Sequence, residues 1–280
     1  MVESRTSRII KRTATYVGLA IALFWALAPI YWVVVTAFKT SKEIYGATPT
    51  LIPLLPTLEN FNKALFNSEY PRFVFNSLYV AIAVTAVSAV VGALAAYPIA
   101  RMQFKGKSAT ARAIVLAYLL PPSLLFIPLF LIIQRMGLID SKLGLIVAYL
   151  TFTVPFCTWM LIGYFKTIPR ELDEAAVVDG ANRFQVLTRV VLPIATPGLA
   201  VVALFAFTNA WNEFLYAVVF VYSNNSKTLT TGLTSMMMGD TFIWGQLMAS
   251  SVIAIVPILI IYIVAQKYIV EGLAAGSVKG

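Results

Sequence analysis

Apolar and polar positions follow one another along this chain in long blocks rather than in short periods. Six blocks, residues 16–38, 74–99, 113–133, 143–163, 198–222 and 246–268, are almost wholly apolar, and short polar or basic segments separate them. A helix crosses a bilayer in roughly 20 mainly apolar residues, so each block predicts one span. The chain therefore reads as an all-α integral membrane protein with six transmembrane helices. The first block is longer than the apolar part of a signal peptide and no small-residue cleavage site follows it, which predicts a retained anchor.

Between the fourth and fifth blocks the pattern changes. Residues 171–193, ELDEAAVVDGANRFQVLTRVVLP, are a polar island with two helix signatures. Pro169 suits a first helical position, Glu171, Asp173 and Glu174 suit the positive end of the helix dipole, and Gly180 suits a left-handed stop. Asn182 with Gln185 predicts a capping box for a second short helix, on which Phe184, Leu187 and Val191 share one face until Pro193 ends it. Leu172, Ala175 and Ala176 form a stripe on the first helix, where two alanines leave the backbone open to close approach. Two readings fit: a surface that receives another protein, or an interfacial pair packed on its own bundle and on lipid.

Charge orients these blocks. Arg5, Arg8, Lys11 and Arg12, then Arg101, Lys105, Lys107 and Arg112, then Lys166, Arg170, Arg183 and Arg189, then Lys267 and Lys279 are fourteen of the 21 basic residues. All fall on one side of a six-span arrangement, which the positive-inside rule makes cytoplasmic, together with both termini and the island. The net charge of +9 is spread over short juxtamembrane segments rather than gathered on one basic face, which points to anionic lipid and away from nucleic acid.

The residue inventory then removes most chemistry. With 60% hydrophobic and 12% charged residues, no histidine and a single cysteine, the chain has no histidine-based triad, no HExxH zinc site and no thiolate cluster. No catalytic residue and no metal site are expected, and Cys157 is read as packing. Gly106-Lys107-Ser108 resembles the end of a nucleotide-binding loop, but Arg101 stands where that loop needs its first glycine, so the segment reads as a solvated inner loop.

One polar cluster sits inside a block: Asn209, Trp211, Asn212, Glu213 and Tyr216. An acid at the centre of a span costs about 2.5–3.5 kcal/mol on insertion scales, so Glu213 must face the bundle interior or a watery cavity. Amides and aromatic faces suit a polar solute, which makes the cluster a candidate substrate path. The alternative is a Glu213 bonded to a neighbouring helix with Trp211 as packing. Pro29, Pro121, Pro122, Pro128, Pro155 and Pro257 are either fixed kinks or gating hinges, and the three in the third block mark the best candidate for a broken helix at a pore.

The island also carries a resemblance. Glu174-Ala175-Ala176, three residues, Gly180, nine residues and Val190-Val191-Leu192-Pro193 resemble the EAA loop of ABC importer permeases, with Val190 in place of the usual isoleucine. Phe75-Asn76-Ser77-Leu78, Trp211-Asn212-Glu213-Phe214 and the ending GLAAGSVKG are similar to the carbohydrate-uptake, maltose-type permeases. The resemblance implies a type I importer permease with short cytoplasmic coupling helices. Residues 1–72 would hold the basic prefix, first span and outer loop, residues 73–270 the permease core with a coupling loop at 164–197, and residues 271–280 a cytoplasmic tail. This chain would be half of a translocation pore in a bacterial or archaeal inner membrane. A second homologous permease, two cytoplasmic ATPase subunits that bind ATP and Mg, and an extracytoplasmic solute-binding protein or lipoprotein would be its partners, and the chain itself would bind no cofactor.

By the same resemblance Leu172, Glu174, Ala175, Ala176, Asp179 and Gly180 would contact an ATPase, and Thr230, Thr231, Leu233, Thr234 and Ser235 would meet the binding protein. A solvated connector over 223–245, with methionines at 236–238, is the plainer reading of that loop. The tail would reach the ATPases or fray. The importer would carry a sugar, or alternatively another solute such as a glycerol-phosphate compound. A secondary transporter is disfavoured, because only Glu213 is securely an intramembrane acid.

Overall fold

Blocks this apolar leave the backbone no partner but itself, so helices are the expected answer. A computed structural model describes residues 5–237 and 243–277, with side chains for 11–237 and 243–268, and these are helical with short connections. In chain order the helices are α1 (Arg5–Ala37), α2 (Ser41–Ile44), α3 (Glu59–Phe66), α4 (Tyr70–Arg101), α5 (Lys107–Leu119), α6 (Pro122–Arg135) and α7 (Lys142–Thr167). They continue with α8 (Glu171–Val178), α9 (Arg183–Val186), a π turn (Leu187–Val191), α10 (Leu192–Ile194), α11 (Thr196–Asn212), α12 (Leu215–Phe220), α13 (Leu229–Ser235) and α14 (Trp244–Ser277).

Among the described residues four helices, α1, α4, α7 and α14, are long and apolar enough to cross a membrane. Two bent pairs bring the number to six if each is one span: α5 with α6, bent by 96°, and the run 183–194 with α11, bent by 82°. The third predicted block is thus not one helix. It breaks at Leu120 and Pro121, whose extended backbones separate α5 from α6, because two consecutive prolines remove adjacent amide donors and push the residue before them out of the helical region. The fifth block is also interrupted, at Glu213 and Phe214, although it contains no proline there.

The chain divides into two compact units, one of residues 1–69 and 236–255 and the other of residues 70–235 and 256–280. In the second unit α4 runs beside both α7 and α11. Ala81, Val84, Ser88, Gly92 and Ala96 are buried along α4, and such a stripe of small residues lets apolar helices approach where lipid offers no hydrophobic drive. A Cβ on Gly92 would stand 3.1 Å from the Cys157 Cβ, which places Cys157 as packing between helices. Ser88 and Thr153 share a hydroxyl hydrogen bond of 2.7 Å across the same seam.

The tightest backbone approach lies at the start of α7. A Cβ on Gly144 would fall 2.2 Å from the Leu138 carbonyl oxygen, which is already held by the Ser141 hydroxyl at 2.6 Å. Gly144→Ala is expected to cost about 1–3 kcal/mol, the usual range for overpacking, and to lower the Tm of the detergent-purified protein; an unchanged Tm contradicts this contact.

In the first unit the outer connection after α1 is tied down by its own side chains. The Asn60 side chain donates to the carbonyls of Ala37 and Lys39 at 3.0 and 2.8 Å, satisfying the end of α1. The Lys39 ammonium donates to the Thr50 carbonyl and lies 4.5 Å from the Trp32 ring centre. Glu43 accepts from the Thr50 hydroxyl and the Leu54 amide. Those bonds, the Thr50 hydroxyl first, hold its carboxyl below the ordinary range against the opposing effect of burial. At the other end of the sequence α14 continues helical to Ser277, so the segment from 271 is not frayed coil over its described part; residues 278–280 lie outside the described residues.

Candidate functional site

The polar island takes its shape from local rules. α8 opens with Glu171, Asp173 and Glu174 in its first turn, while Pro169 stands ahead of the N-cap Arg170 rather than at the first helical position. Gly180, at φ 87°, stops it. The Gly180 amide donates to Val177 and the Ala181 amide reaches back to Ala176 at 2.9 Å, the paired bonds of a Schellman stop. Asn182 and Gln185 then form the reciprocal capping box at 2.8 and 2.9 Å.

Pro193 does not end this second run. The helix widens into the π turn and continues through α10, since the wider turn relieves the proline ring of its clash with the carbonyl one α-turn back. Nor do the three apolar residues share one buried face: Leu187 and Val191 are core, but Phe184 is 65% exposed. On α8 the exposed residues are Glu171, Leu172, Glu174, Ala175, Val177 and Val178, followed by the exposed Asp179 and Gly180, and Val178, which the sequence did not single out, is 88% exposed. Ala176 is half-buried against the core, and Asp173 is the one fully buried side chain of α8.

The polar cluster of the fifth block surrounds its break. Asn209, Asn212, Glu213 and Tyr216 line one cavity of about 470 Å³, together with Pro122 and Phe152. Trp211 does not join them; it is 1% exposed and stacks on Phe207 at 5.6 Å, the packing alternative. The Glu213 carboxylate accepts from the Tyr216 and Ala217 amides at 2.9 and 3.1 Å and so caps α12. Its carbonyl accepts from the Thr230 hydroxyl at 2.8 Å. The Tyr216 hydroxyl donates to the Pro122 carbonyl at 2.8 Å, tying the break in the fifth block to the break in the third. Asn209 is turned back on its own helix, donating to Phe205 at 2.9 Å.

An adjoining cavity of about 410 Å³ adds Tyr118 and Phe205 to Pro122, Phe152 and Asn209. Phe152 stacks on Tyr216 at 6.0 Å, and Tyr118 on Trp159 at 6.2 Å. These aromatics on α5, α7 and α11 carried no signal in the sequence, because they are ordinary members of apolar helices; only the broken helix beside them, flagged by Pro121 and Pro122, pointed to the place.

Residues 223–235 are anchored rather than solvated. Asn76 donates to the carbonyls of Asn225 and Lys227 at 3.0 and 2.8 Å, and the Leu229 amide donates to Ser77 at 2.8 Å. Asp140 accepts from the Tyr222 and Ser223 amides at 3.0 Å each. Burial opposes ionisation there, and these amides together with the Ser223 hydroxyl outweigh it, leaving the Asp140 carboxyl below its ordinary range. Of the residues of interest in this segment, Thr231 is buried, Thr230, Leu233 and Thr234 are half-buried and Ser235 is exposed. A Cβ on Gly232 would meet the Phe73 ring at 2.2 Å, so α13 sits directly on α4. Met238 lies outside the described residues.

Comparison with known proteins follows this geometry. Residues 88–274 match the family described as binding-protein-dependent transport system inner membrane component. The chain is 35% identical over 265 residues to the sulfoquinovosyl glycerol transport system permease protein SmoH of Agrobacterium fabrum (strain C58 / ATCC 33970), covering 95% of this chain and 93% of that one. It is 33% identical over 275 residues to the trehalose/maltose transport system permease protein MalG of Thermococcus litoralis (strain ATCC 51850 / DSM 5473 / JCM 8560 / NS-C), covering 97% and 98%. Its fold is similar to a chain of a bacterial ABC transporter involved in the import of the acidic polysaccharide alginate, with a TM-score of 0.81 at 22% identity over 96% of this chain and 99% of that one.

Proposed function

Because the chain belongs to the family of binding-protein-dependent transport system inner membrane components, we propose that it forms half of the membrane pathway of an ATP-driven importer for a sugar or oligosaccharide. It is a transport subunit, not an enzyme. On this reading it crosses the inner membrane six times with both termini cytoplasmic, pairs with a second permease, and receives its cargo from an extracytoplasmic binding protein. ATP and Mg belong to two ATPase subunits.

The observation that carries the reading is α8. A short helix that leaves Leu172, Ala175 and Val178 uncovered, with Glu174 and Asp179 beside them, and ends in a rigid left-handed stop at Gly180, is a surface made to seat in another protein. Ala176 and Gly180 set its height and angle. The broken helices supply the other half of the device: Asn209, Asn212, Glu213 and Tyr216 border a cavity where apolar spans are interrupted, which is the form taken by substrate paths in membrane transporters. Trp211 supports that wall from behind. Sugar cargo is supported by the two relatives, whose names specify sugar solutes.

On the opposite end, α13 and the segment before it would receive the binding protein through Thr230, Leu233, Thr234 and Ser235, with Thr231 holding the turn from inside. The end of α14 would reach the ATPases.

The test is uptake in proteoliposomes holding both permeases, the ATPases and the binding protein, with radiolabelled trehalose, maltose and a glycerol phosphodiester as probes. ATP-dependent accumulation of a sugar that stops with vanadate is expected. Accumulation driven by an ion gradient without ATP overturns the importer reading, and accumulation of the phosphodiester alone overturns the sugar.

A further inference from the structure

The buried acid of α8 faces a buried base. Asp173 Oδ2 lies 3.5 Å from Nε of Arg101 at the end of α4, and the two side chains are 9% and 3% exposed. Arg101 is therefore no solvated loop cation, as its place among the inner basic residues implied. The contact is incomplete: Arg101 Nε and Nη2, Asp173 Oδ1 and the nearby Tyr97 hydroxyl are buried without a hydrogen-bond partner. Arg183, at the start of α9, lies within electrostatic reach of the same hydroxyl. Three polar side chains from α4 and α8 thus share one buried site in which several valences are open, with the exposed Arg183 of α9 at its edge.

A buried charge left unpaired is strongly disfavoured, and a loosely paired one gains by closing to a two-pronged contact. The site is a joint that can tighten. It is also a direct contact of α8 with the bundle, since Asp173 is the fully buried side chain of α8. The covalent route on its C-terminal side is longer: it runs through the Gly180 stop, the π turn and the 82° bend before it reaches α11. Arg101, by contrast, belongs to the long helix that packs on both α7 and α11.

We infer that Arg101 and Asp173 are positioning residues of the transport cycle, an ionic joint that transfers displacement of α8 to α4 when the ATPases close. This rests on the docking of α8 proposed above. Asp173→Glu, which keeps the carboxylate, works as the joint; Asp173→Asn and Arg101→Met do not.

The experiment uses the complete transporter in proteoliposomes. A cysteine at Val178 reports docking by crosslinking to the ATPases, and a spin label at a Gln103→Cys site, next to the end of α4, reports movement when ATP and vanadate trap the closed state. The expected result is a crosslink in every variant, with a trapping-dependent change of line shape in the parent and in Asp173→Glu that is lost in Asp173→Asn and Arg101→Met. The double replacement Arg101→Met with Asp173→Leu fills the site with apolar groups and keeps the fold if a single variant misfolds; its label is expected to be equally unresponsive. A neutral variant whose label responds as the parent does overturns the joint, as does a parent that crosslinks without any label response. A parent that fails to crosslink overturns the docking of α8, and the joint with it.

Discussion

Gly180→Val is expected to leave the protein inserted and assembled while separating ATP hydrolysis from uptake. At φ 87° the position is left-handed, and nothing lies within 4 Å of a Cβ there, so the substitution meets no steric wall. Its cost is backbone strain, about 1–2 kcal/mol for an L residue in this region, and a β-branched side chain has the least latitude to accept it. The strain is relieved by opening the Schellman bonds from Gly180 to Val177 and from Ala181 to Ala176. That rotates α8 against α9. On the docking reading, the ATPases then close on a helix presented at the wrong angle. Uptake is expected to fall by about tenfold or more, the factor that 1.4 kcal/mol represents, while ATPase activity and the amount of assembled complex stay near the parent values. Parallel loss of assembly would assign Gly180 to stability instead, and unchanged uptake with normal stimulation of the ATPase by the binding protein would remove it from coupling altogether.

What the sequence revealed about the island and what it concealed follow from the range of the forces involved. The stop at Gly180 and the capping box of Asn182 and Gln185 depend on bonds between near neighbours, and both stand where the residues placed them. Pro193 misled because a proline forbids one hydrogen bond but not a helix; the π turn before it absorbs the conflict. The break at Pro121 and Pro122 was visible for the same local reason that the break at Glu213 was not: the first is written in missing amides, the second in an acid whose bonds to Tyr216 and Ala217 restart the helix. Arg101 and Asp173 are distant in sequence and each has an ordinary explanation alone, a loop cation and an acid at a helix start. Only packing brings them together. Trp211 and Phe184 show the converse, since apolar periodicity says that a residue has a face but not which face the rest of the protein covers.

Glu213→Ala tests whether that acid serves the cargo or the wall. It borders the cavity, as a sugar ligand would require, but both its carboxylate oxygens are already engaged by the first amides of α12. Hydrogen bonds to a charged group contribute about 1.5–3 kcal/mol, and removing the acceptor leaves two buried amides unsatisfied. α12 would lose its start, and Tyr216 would lose the alignment that lets its hydroxyl reach Pro122 across the two breaks. The expected outcome is a lower Tm and a lower maximal uptake rate, with the half-saturating concentration of loaded binding protein unchanged. Glu213→Gln keeps one acceptor oxygen and is expected to recover most of both. A direct sugar contact would give the opposite pair of results: Glu213→Ala with the parent's Tm, and Glu213→Gln with a weakened preference among sugars. The geometry favours the first outcome, because a carboxylate that restarts a helix is held in place by the backbone it caps, and a path wall that must survive alternating access needs its interruption fixed before it needs another ligand.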